Sequence, residues 1–261
     1  MAERAPWGDF PKVIRNGDLR ALQVEPEYQA AKSGDREAAL ELVSRLLSDA
    51  TVQRIEAQIA NCKPHVLPVL AVEVAGNNKI PLAMAEVCAD RLGLAVETGI
   101  VQIEKVGRTG AGSDHRLVFN PSFEGNVKSG KRYLIVDDTL TMGGTLASLR
   151  GYVENRGGSV IAAMVMTAHA GAVELAVKSK MLADIEAKHG PAMNQFGRRH
   201  LAMASTNSLK VKLDTSEQPR RLMPSEIASL RRDMKESSAW MRQELERRRM
   251  QAEALRKGKL R

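Results

Sequence analysis

Hydrophobic positions along this chain follow two rhythms. Short continuous apolar runs recur at residues 66–72, 133–136 and 160–166. Runs of this length flanked by charge or glycine read as strands buried on both faces of a parallel sheet. Between and before them the apolar residues take helical spacing. The pattern predicts helices over residues 35–48 and 49–61, each opened by an Asp cap, over 80–91 with Gly93 behind it, and over 145–156 with Gly157-Gly158 as the stop. Residues 96–106 alternate and predict a strand. Residues 107–130 are long, polar and Gly/Ser-rich, which fits a lid, with a hairpin strand possible around Leu117-Val118-Phe119. Residues 1–34 are punctuated by Pro and Gly and are weakly patterned. From Pro224-Ser225-Glu226 onward, Ile227, Leu230, Met234, Met241, Leu245 and Leu255 form a rough apolar stripe on a helix. The alternation of strand and helix predicts an α/β fold: a parallel sheet with helices on both faces.

Length agrees with one principal α/β domain carrying appendages, since the chain has 261 residues. The expected division is an N-terminal helical or hood segment over 1–62, the α/β core over 63–218, and a basic helical tail over 219–261. Aromatics are only 3%, so the core must be built from Ala, Val, Leu, Ile and Met. Cys62 and Cys88 fall at a helix end and in a helix, without a His or Cys partner at metal-ligand spacing. They point to a reduced compartment and to neither a disulfide framework nor a zinc site. No apolar run approaches membrane-spanning length and the N-terminus has no apolar signal core, so the expected location is cytoplasmic, with no membrane partner.

Charge divides the chain. Residues 219–261 hold thirteen Lys/Arg and six Asp/Glu, net +7 of the whole chain's +8. Two readings of this tail stand: a solvated helix packing its stripe on the core or on a second subunit, and an electrostatic surface for nucleic acid or an acidic partner. Glu236, Glu244, Glu246 and Glu253 interleave with the bases, which favours the first.

The chemistry concentrates in residues 134–145. An apolar strand runs into Asp137 and Asp138. Thr139, Leu140, Thr141 and Met142 follow, then Gly143, Gly144 and Thr145 at the start of a helix. Adjacent carboxylates at a strand end repel each other and favour hydroxyl donors or a cation. Glycines let the backbone approach an anion closely. The first N–H groups of the helix have no internal partner and are aided by the helix dipole. Those parts, in that order, suit a ribose 5-phosphate. A P-loop is excluded, because no Gly-rich string ending in Gly-Lys-Ser/Thr precedes the acids. The glycine spacing also excludes a dinucleotide fingerprint.

This segment resembles the phosphoribosyl diphosphate (PRPP) motif of type I phosphoribosyltransferases. The resemblance implies that Asp137 and Asp138 face the ribose 2- and 3-hydroxyls, and that Thr139, Thr141, Met142, Gly143, Gly144 and Thr145 surround the 5-phosphate. Met142 departs from the family, which usually has Thr or a similar small residue there. A hydroxyl donor to a charged acceptor is worth about 1.5–3 kcal/mol, so its loss lowers affinity by one or two orders of magnitude without abolishing binding. Thr141 stands where members acting on 6-oxopurines usually carry Asp. A second stretch, Ile80-Pro81-Leu82-Ala83, is similar to the first helix of orotate-type transferases. The resemblance makes Ala75, Gly76, Asn77, Asn78 and Lys79 the pyrophosphate turn, with Lys79 one position late. The family's mobile loop would supply charge from Lys105, Arg108, His115 and Arg116; the alternative for each is a solvated loop cation. His169 follows the next strand at its carboxyl end. It could touch the acceptor base, or equally bond to backbone.

The expected fold is therefore type I phosphoribosyltransferase-like, with N-terminal helices and a basic C-terminal helix. The expected activity is a pentosyl (glycosyl) transfer from PRPP to a nitrogenous base, orotate- or adenine-like rather than a 6-oxopurine. Mg²⁺ would be bound mainly through the substrate, no protein metal ligands are assigned, and the family often pairs subunits as a homodimer. The alternative is a regulator that senses PRPP and binds nucleic acid or a protein partner through residues 219–261.

Overall fold

The computed structural model describes residues 4–105, 121–175 and 220–258, with Ala183 and Ala187 as isolated positions. In chain order its elements are β1 (Ile14–Asp18), α1 (Tyr28–Ser33), α2 (Arg36–Leu46), α3 (Asp49–Ile59), β2 (His65–Pro68), α4 (Ile80–Leu92), β3 (Ala95–Val96), β4 (Val101–Gln102), β5 (Glu104–Lys105), β6 (Phe123–Glu124), β7 (Arg132–Leu140), α5 (Gly144–Glu154), β8 (Ser159–Ala168), β9 (Arg220–Arg221) and α6 (Pro224–Gly258). The five-stranded sheet runs in the order β1-β8-β7-β2-β3, and every neighbouring pair in it is parallel. The N-terminal segment thus supplies an edge strand to the same sheet as the core.

Strand alternation explains the unbroken apolar runs. Leu134 and Val136 face one side of the sheet with Ala162, Met164 and Met166, against α2, α3, α4 and α6. Tyr133 and Ile135 face the other side with Ala163 and Val165, against α5 and Trp7. Every position of β7 from Tyr133 to Val136 is therefore apolar, because both faces are covered. Helix α4 lies between the sheet and the helices α2 and α6. Ile80, Leu82, Ala83, Met84, Ala85, Val87 and Cys88 are accordingly all buried. Pro81 occupies its first turn and Gly93 closes it at a φ of 63°.

Three elements differ from the sequence expectation. Asp35 caps α2 by accepting from Glu37 N and Ala38 N, as expected. The cap of α3, however, is Ser48, which accepts from Thr51 N, and Asp49 becomes the first helical residue. The alternating run 96–106 is broken into pieces because Glu97 Oε1 accepts from Gly99 N and turns the chain. β3 joins the main sheet, β4 pairs with β6, and β5 pairs with β9. Strand β7 continues past Val136 to Leu140, so Asp137 and Asp138 lie within a strand rather than after it. The segment Leu117-Val118-Phe119 lies outside the described residues.

Helix α6 is 35 residues long. Glu226 holds its start by accepting from Met223 N at 2.7 Å. Ile227, Leu230, Met234 and Met241 are buried against the core, whereas Met250 and Leu255 are exposed. The arginine cluster is paired: Arg247 and Arg248 with Glu244, Arg248 with Glu41 at 3.0 Å, and Arg249 with Asp90 at 3.4 Å. Among the described residues no helix is long and apolar enough to cross a membrane.

Candidate functional site

Strands β2 and β7 pair as far as Pro68 and Val136, while β7 continues beside β8 to Leu140. Asp137 and Asp138 therefore follow at the point where β7 loses its β2 neighbour. This is the carboxyl edge of the sheet, where open α/β folds bind ligands. The two acids alternate as strand residues must. Asp138 is buried, and Asp137 is half-buried and accepts from Asp138 N at 2.9 Å. Burial, and then the Asp138 charge, push the Asp137 carboxyl well above the usual carboxylate range. Beyond them Thr139 Oγ1 lies 3.2 Å from Thr167 Oγ1 on β8.

The glycine turn comes next. Gly143 is the N-cap of α5 with φ 73°, a left-handed conformation that favours glycine, and it has no side chain with which to cap the helix. A Cβ on Gly143 would collide with the Leu175 side chain, and one on Gly144 would stand 2.8 Å from Arg4 Nη2. Arg4, buried, reaches this turn because the N-terminal arm is tied to α5 by the bond from Ala5 N to Ala147 O, 3.0 Å. Thr141 is exposed, and Met142 and Thr145 are half-buried around the same turn.

The second turn, between β2 and α4, meets β7 at Asp138. Residues 73–76 form a tight loop in which Glu73 N donates to Gly76 O at 2.8 Å and Gly76 N to Glu73 O at 3.3 Å. Val74 and Ala75 are its exposed tip. Gly76 has φ 140°, and a Cβ there would lie 2.5 Å from Ser33 O, so the end of α1 packs directly on this turn. Asn78 Nδ2 bridges Glu73 Oε1 and Asp138 Oδ2, both at 2.9 Å. Lys32 of α1 makes the same bridge, with Nζ 2.6 Å from Glu73 Oε2 and 3.0 Å from Asp138 Oδ2. Burial opposes the Lys32 charge, but Asp138 and then Glu73 outweigh it and hold the ammonium above its ordinary value. Tyr28, one turn earlier on α1, feels the same group of charges. Burial raises its phenol and Lys32 acts against that rise.

Asn77 and Lys79 are gripped from elsewhere. Asn77 Nδ2 donates to Asp233 Oδ2 of α6 at 2.7 Å. Lys79 is 1% exposed, with Nζ 2.5 Å from Asp233 Oδ2 and 3.6 Å from Met234 Sδ. Burial lowers its ammonium from the ordinary value, and Asp233 works against that.

The structure thus brings Asp137, Asp138, Gly143, Gly144, Asn78 and the 73–79 turn to one edge of the sheet. His169 stands exposed at the end of β8, with Nδ1 accepting from Gly171 N at 3.2 Å, the backbone-bonded alternative. Arg108, His115 and Arg116 lie outside the described residues, as does the side chain of Lys105, whose backbone forms β5. Sequence reasoning did not single out Lys32, Tyr28, Arg4 or Asp233. All four lie in segments without a motif, and only the tertiary fold carries them to the turns. No group of three or more His, Cys, Asp or Glu side chains among the described residues is placed to hold a metal ion. Glu73 and Asp138 already share Lys32 and Asn78, so the donor set fits a divalent cation only as the companion of an anionic ligand.

The chain is 71% identical over 195 residues to Protein TraN of Escherichia coli, covering 75% of this chain and 44% of that protein. It is 42% identical over 151 residues to an uncharacterized protein of Haemophilus influenzae, covering 58% and 34% respectively. The chain therefore spans less than half the length of either relative. Among solved structures it is similar to adenine phosphoribosyltransferase from Thermoanaerobacter pseudethanolicus, with 20% identity, a TM-score of 0.31, and 51% of this chain and 73% of that one covered. It is also similar to orotate phosphoribosyltransferase of Mycobacterium tuberculosis, with 17% identity, a TM-score of 0.27, and 60% and 68% covered. The family model for the phosphoribosyl transferase domain matches residues 45–196, which contain both turns and the sheet core between them. The chain belongs to the phosphoribosyl transferase domain family.

Proposed function

We propose that this chain binds PRPP and transfers its phosphoribosyl group to a nitrogenous base, orotate- or adenine-like rather than a 6-oxopurine. The observation that carries the reading is the pairing of two turns at one sheet edge: acids followed by an uncapped glycine turn on β7–α5, and the 73–79 turn across from it. Asp138 and Asp137 accept from the ribose hydroxyls. The backbone N–H groups around Gly143, Gly144 and Thr145 receive the 5-phosphate, with the Arg4 guanidinium as a nearby cation. The ring gains positive charge as the bond to diphosphate breaks, and Asp137 or Asp138 stabilises it electrostatically. Mg²⁺, arriving with the substrate, would neutralise the leaving diphosphate. A nitrogen of the base then attacks the anomeric carbon, and the protein's share is positioning and exclusion of water.

A regulatory reading draws support from one feature. Asp233 of α6 holds Asn77 and Lys79 of the diphosphate turn, which couples that turn to the basic helix. Diphosphate release, measured with Mg²⁺ and a panel of bases, separates the two. Release with one base supports the transferase. PRPP binding without release, together with salt-sensitive nucleic-acid binding that is lost on deleting residues 219–261, supports the sensor. A chain that binds no phosphorylated ribose would overturn both.

A further inference from the structure

Lys79 is the lysine that sequence similarity places at the diphosphate end of the site, yet its ammonium is directed into the α4–α6 interface. It is held by Asp233, touches Met234, and is buried to within 1%. Reaching an anion in the crevice would require it to leave that carboxylate and the packing around it. Lys32 has the opposite placement. Its ammonium lies between Glu73, which opens the diphosphate turn, and Asp138, the acid of the sugar diol. In the proposed phosphoribosyl site this places the ammonium between the acid that meets the sugar diol and the turn that meets the diphosphate. We propose that Lys32 is the cation that meets the diphosphate of the sugar donor, in place of Lys79. The proposal rests on the phosphoribosyl reading of the site.

Three points carry it. An ammonium has three N–H donors, and Glu73 and Asp138 take two, leaving one for an incoming oxygen. Asn78 bridges the same two carboxylates, so Lys32 can turn toward a ligand without leaving Glu73 and Asp138 unsupported. The backbone beneath Lys32 is fixed to the turn it serves. Lys79 N donates to Ala31 O at 3.0 Å, and Gly76 packs on Ser33 O. When the donor binds, Asp138 exchanges the ammonium for ribose hydroxyls, and the released N–H groups go to the diphosphate. No covalent bond is made or broken in this exchange. It matches charge at both ends: a carboxylate acquires hydroxyl donors and an ammonium acquires an anion.

The test is calorimetric titration of the full chain with PRPP, inorganic diphosphate and ribose 5-phosphate, each with Mg²⁺. Lys32→Ala is expected to weaken PRPP and inorganic diphosphate by about tenfold or more, the scale of one charge-assisted bond. It should leave ribose 5-phosphate within about twofold, because that ligand lacks the diphosphate. Lys32→Arg should recover most of the loss. Lys32→Gln, which keeps a donor for Glu73 without the charge, makes the same comparison if the alanine variant is unfolded. Equal losses for PRPP and ribose 5-phosphate would make Lys32 a structural residue and overturn the proposal, as would wild-type PRPP affinity in the folded variant. Wild-type protein that binds ribose 5-phosphate while Lys32→Ala loses nothing sinks only the role of Lys32. Wild-type protein that binds none of the three sinks the site reading, and the proposal with it.

Discussion

Two strand–turn–helix units stand side by side at the carboxyl edge of the sheet, β7–α5 and β2–α4, and their turns are held by different means. The β7–α5 turn is local. Its shape comes from Gly143 at positive φ and from a helix start that no side chain caps, so in the proposed site main-chain groups would do the binding. The β2–α4 turn is assembled from afar. Asn78 joins Glu73 to Asp138 of β7, Lys32 comes from α1 to the same two acids, and Asn77 and Lys79 are taken by Asp233 of α6. A site half made of backbone tolerates changes in distant side chains. A half made of distant side chains can have its charges reassigned, as the proposed role of Lys32 in place of Lys79 would require.

Asp138 is the one residue shared by both halves, so its removal should have the largest effect. Asp138→Asn keeps the shape but loses the charge that holds ribose hydroxyls and balances Lys32. PRPP affinity is expected to fall about 100-fold or more, roughly 2.7 kcal/mol. The melting temperature should stay within a few degrees, because Lys32 retains Glu73. Titration and a thermal melt on the same sample check this, and wild-type affinity in the variant would remove Asp138 from the site.

Gly143→Ala strikes only the local half. The left-handed backbone costs about 1–2 kcal/mol for a residue with a Cβ, and the new methyl meets Leu175. Stability should drop by about 2 kcal/mol in urea unfolding. PRPP and ribose 5-phosphate should weaken in parallel, since both use the 5-phosphate. A loss confined to PRPP would mean that the glycine turn is not the phosphate end, and the two halves would have to be exchanged.

Asp233→Ala strikes only the assembled half. It leaves Lys79 buried without its carboxylate and releases Asn77. Breaking a fully buried pair costs about 3–5 kcal/mol, but Asp233 is itself 37% exposed, so about 1–2 kcal/mol is the expected loss. Inorganic diphosphate should weaken several-fold as the turn loosens, with ribose 5-phosphate unchanged. Equal binding of diphosphate before and after would show that α6 only packs on the turn and does not set its shape.

The same contrast explains what could be read from the chain before folding. The local half was legible because its determinants are contiguous: an apolar strand, two acids, glycines and a helix within residues 134–145. The sheet core was legible because burial on both faces demands continuous apolar runs, as at Tyr133 to Val136. Lys32 was not, because six helical residues between Pro- and Gly-rich stretches carry no pattern. Its position follows from Gly34 ending α1 and from Gly76 packing on Ser33. Lys79 looked like a ligand because it stands just before Ile80-Pro81-Leu82-Ala83, where the resemblance to orotate-type transferases places the pyrophosphate turn. What hides it is Asp233, more than 150 residues later on a helix whose charges read as a solvated face. Strand β7 was underestimated for a related reason. Its continuation through Asp137 and Asp138 is sustained by pairing with β8, and polar residues at that depth give no strand signal of their own.

The smallest expected effect tests the local half by improving it. Met142 is half-buried at the proposed phosphate turn, where its main-chain N–H is retained but the family's usual hydroxyl is missing. Met142→Thr adds one donor without moving the backbone. A hydroxyl bond to a phosphate is worth about 1.5–3 kcal/mol when fully formed, and restricting the new side chain offsets part of that, so a gain of about 1 kcal/mol, five- to tenfold, is expected for ribose 5-phosphate and PRPP alike. Inorganic diphosphate should bind as before, because it does not use this turn. Titration of all three ligands distinguishes the outcomes. If the sugar phosphates are unmoved, the amides at Gly143 and Gly144 already satisfy the phosphate, and the backbone half of the site is complete without side chains. If diphosphate tightens as well, the two turns are not separate subsites, and the division between a local and an assembled half fails.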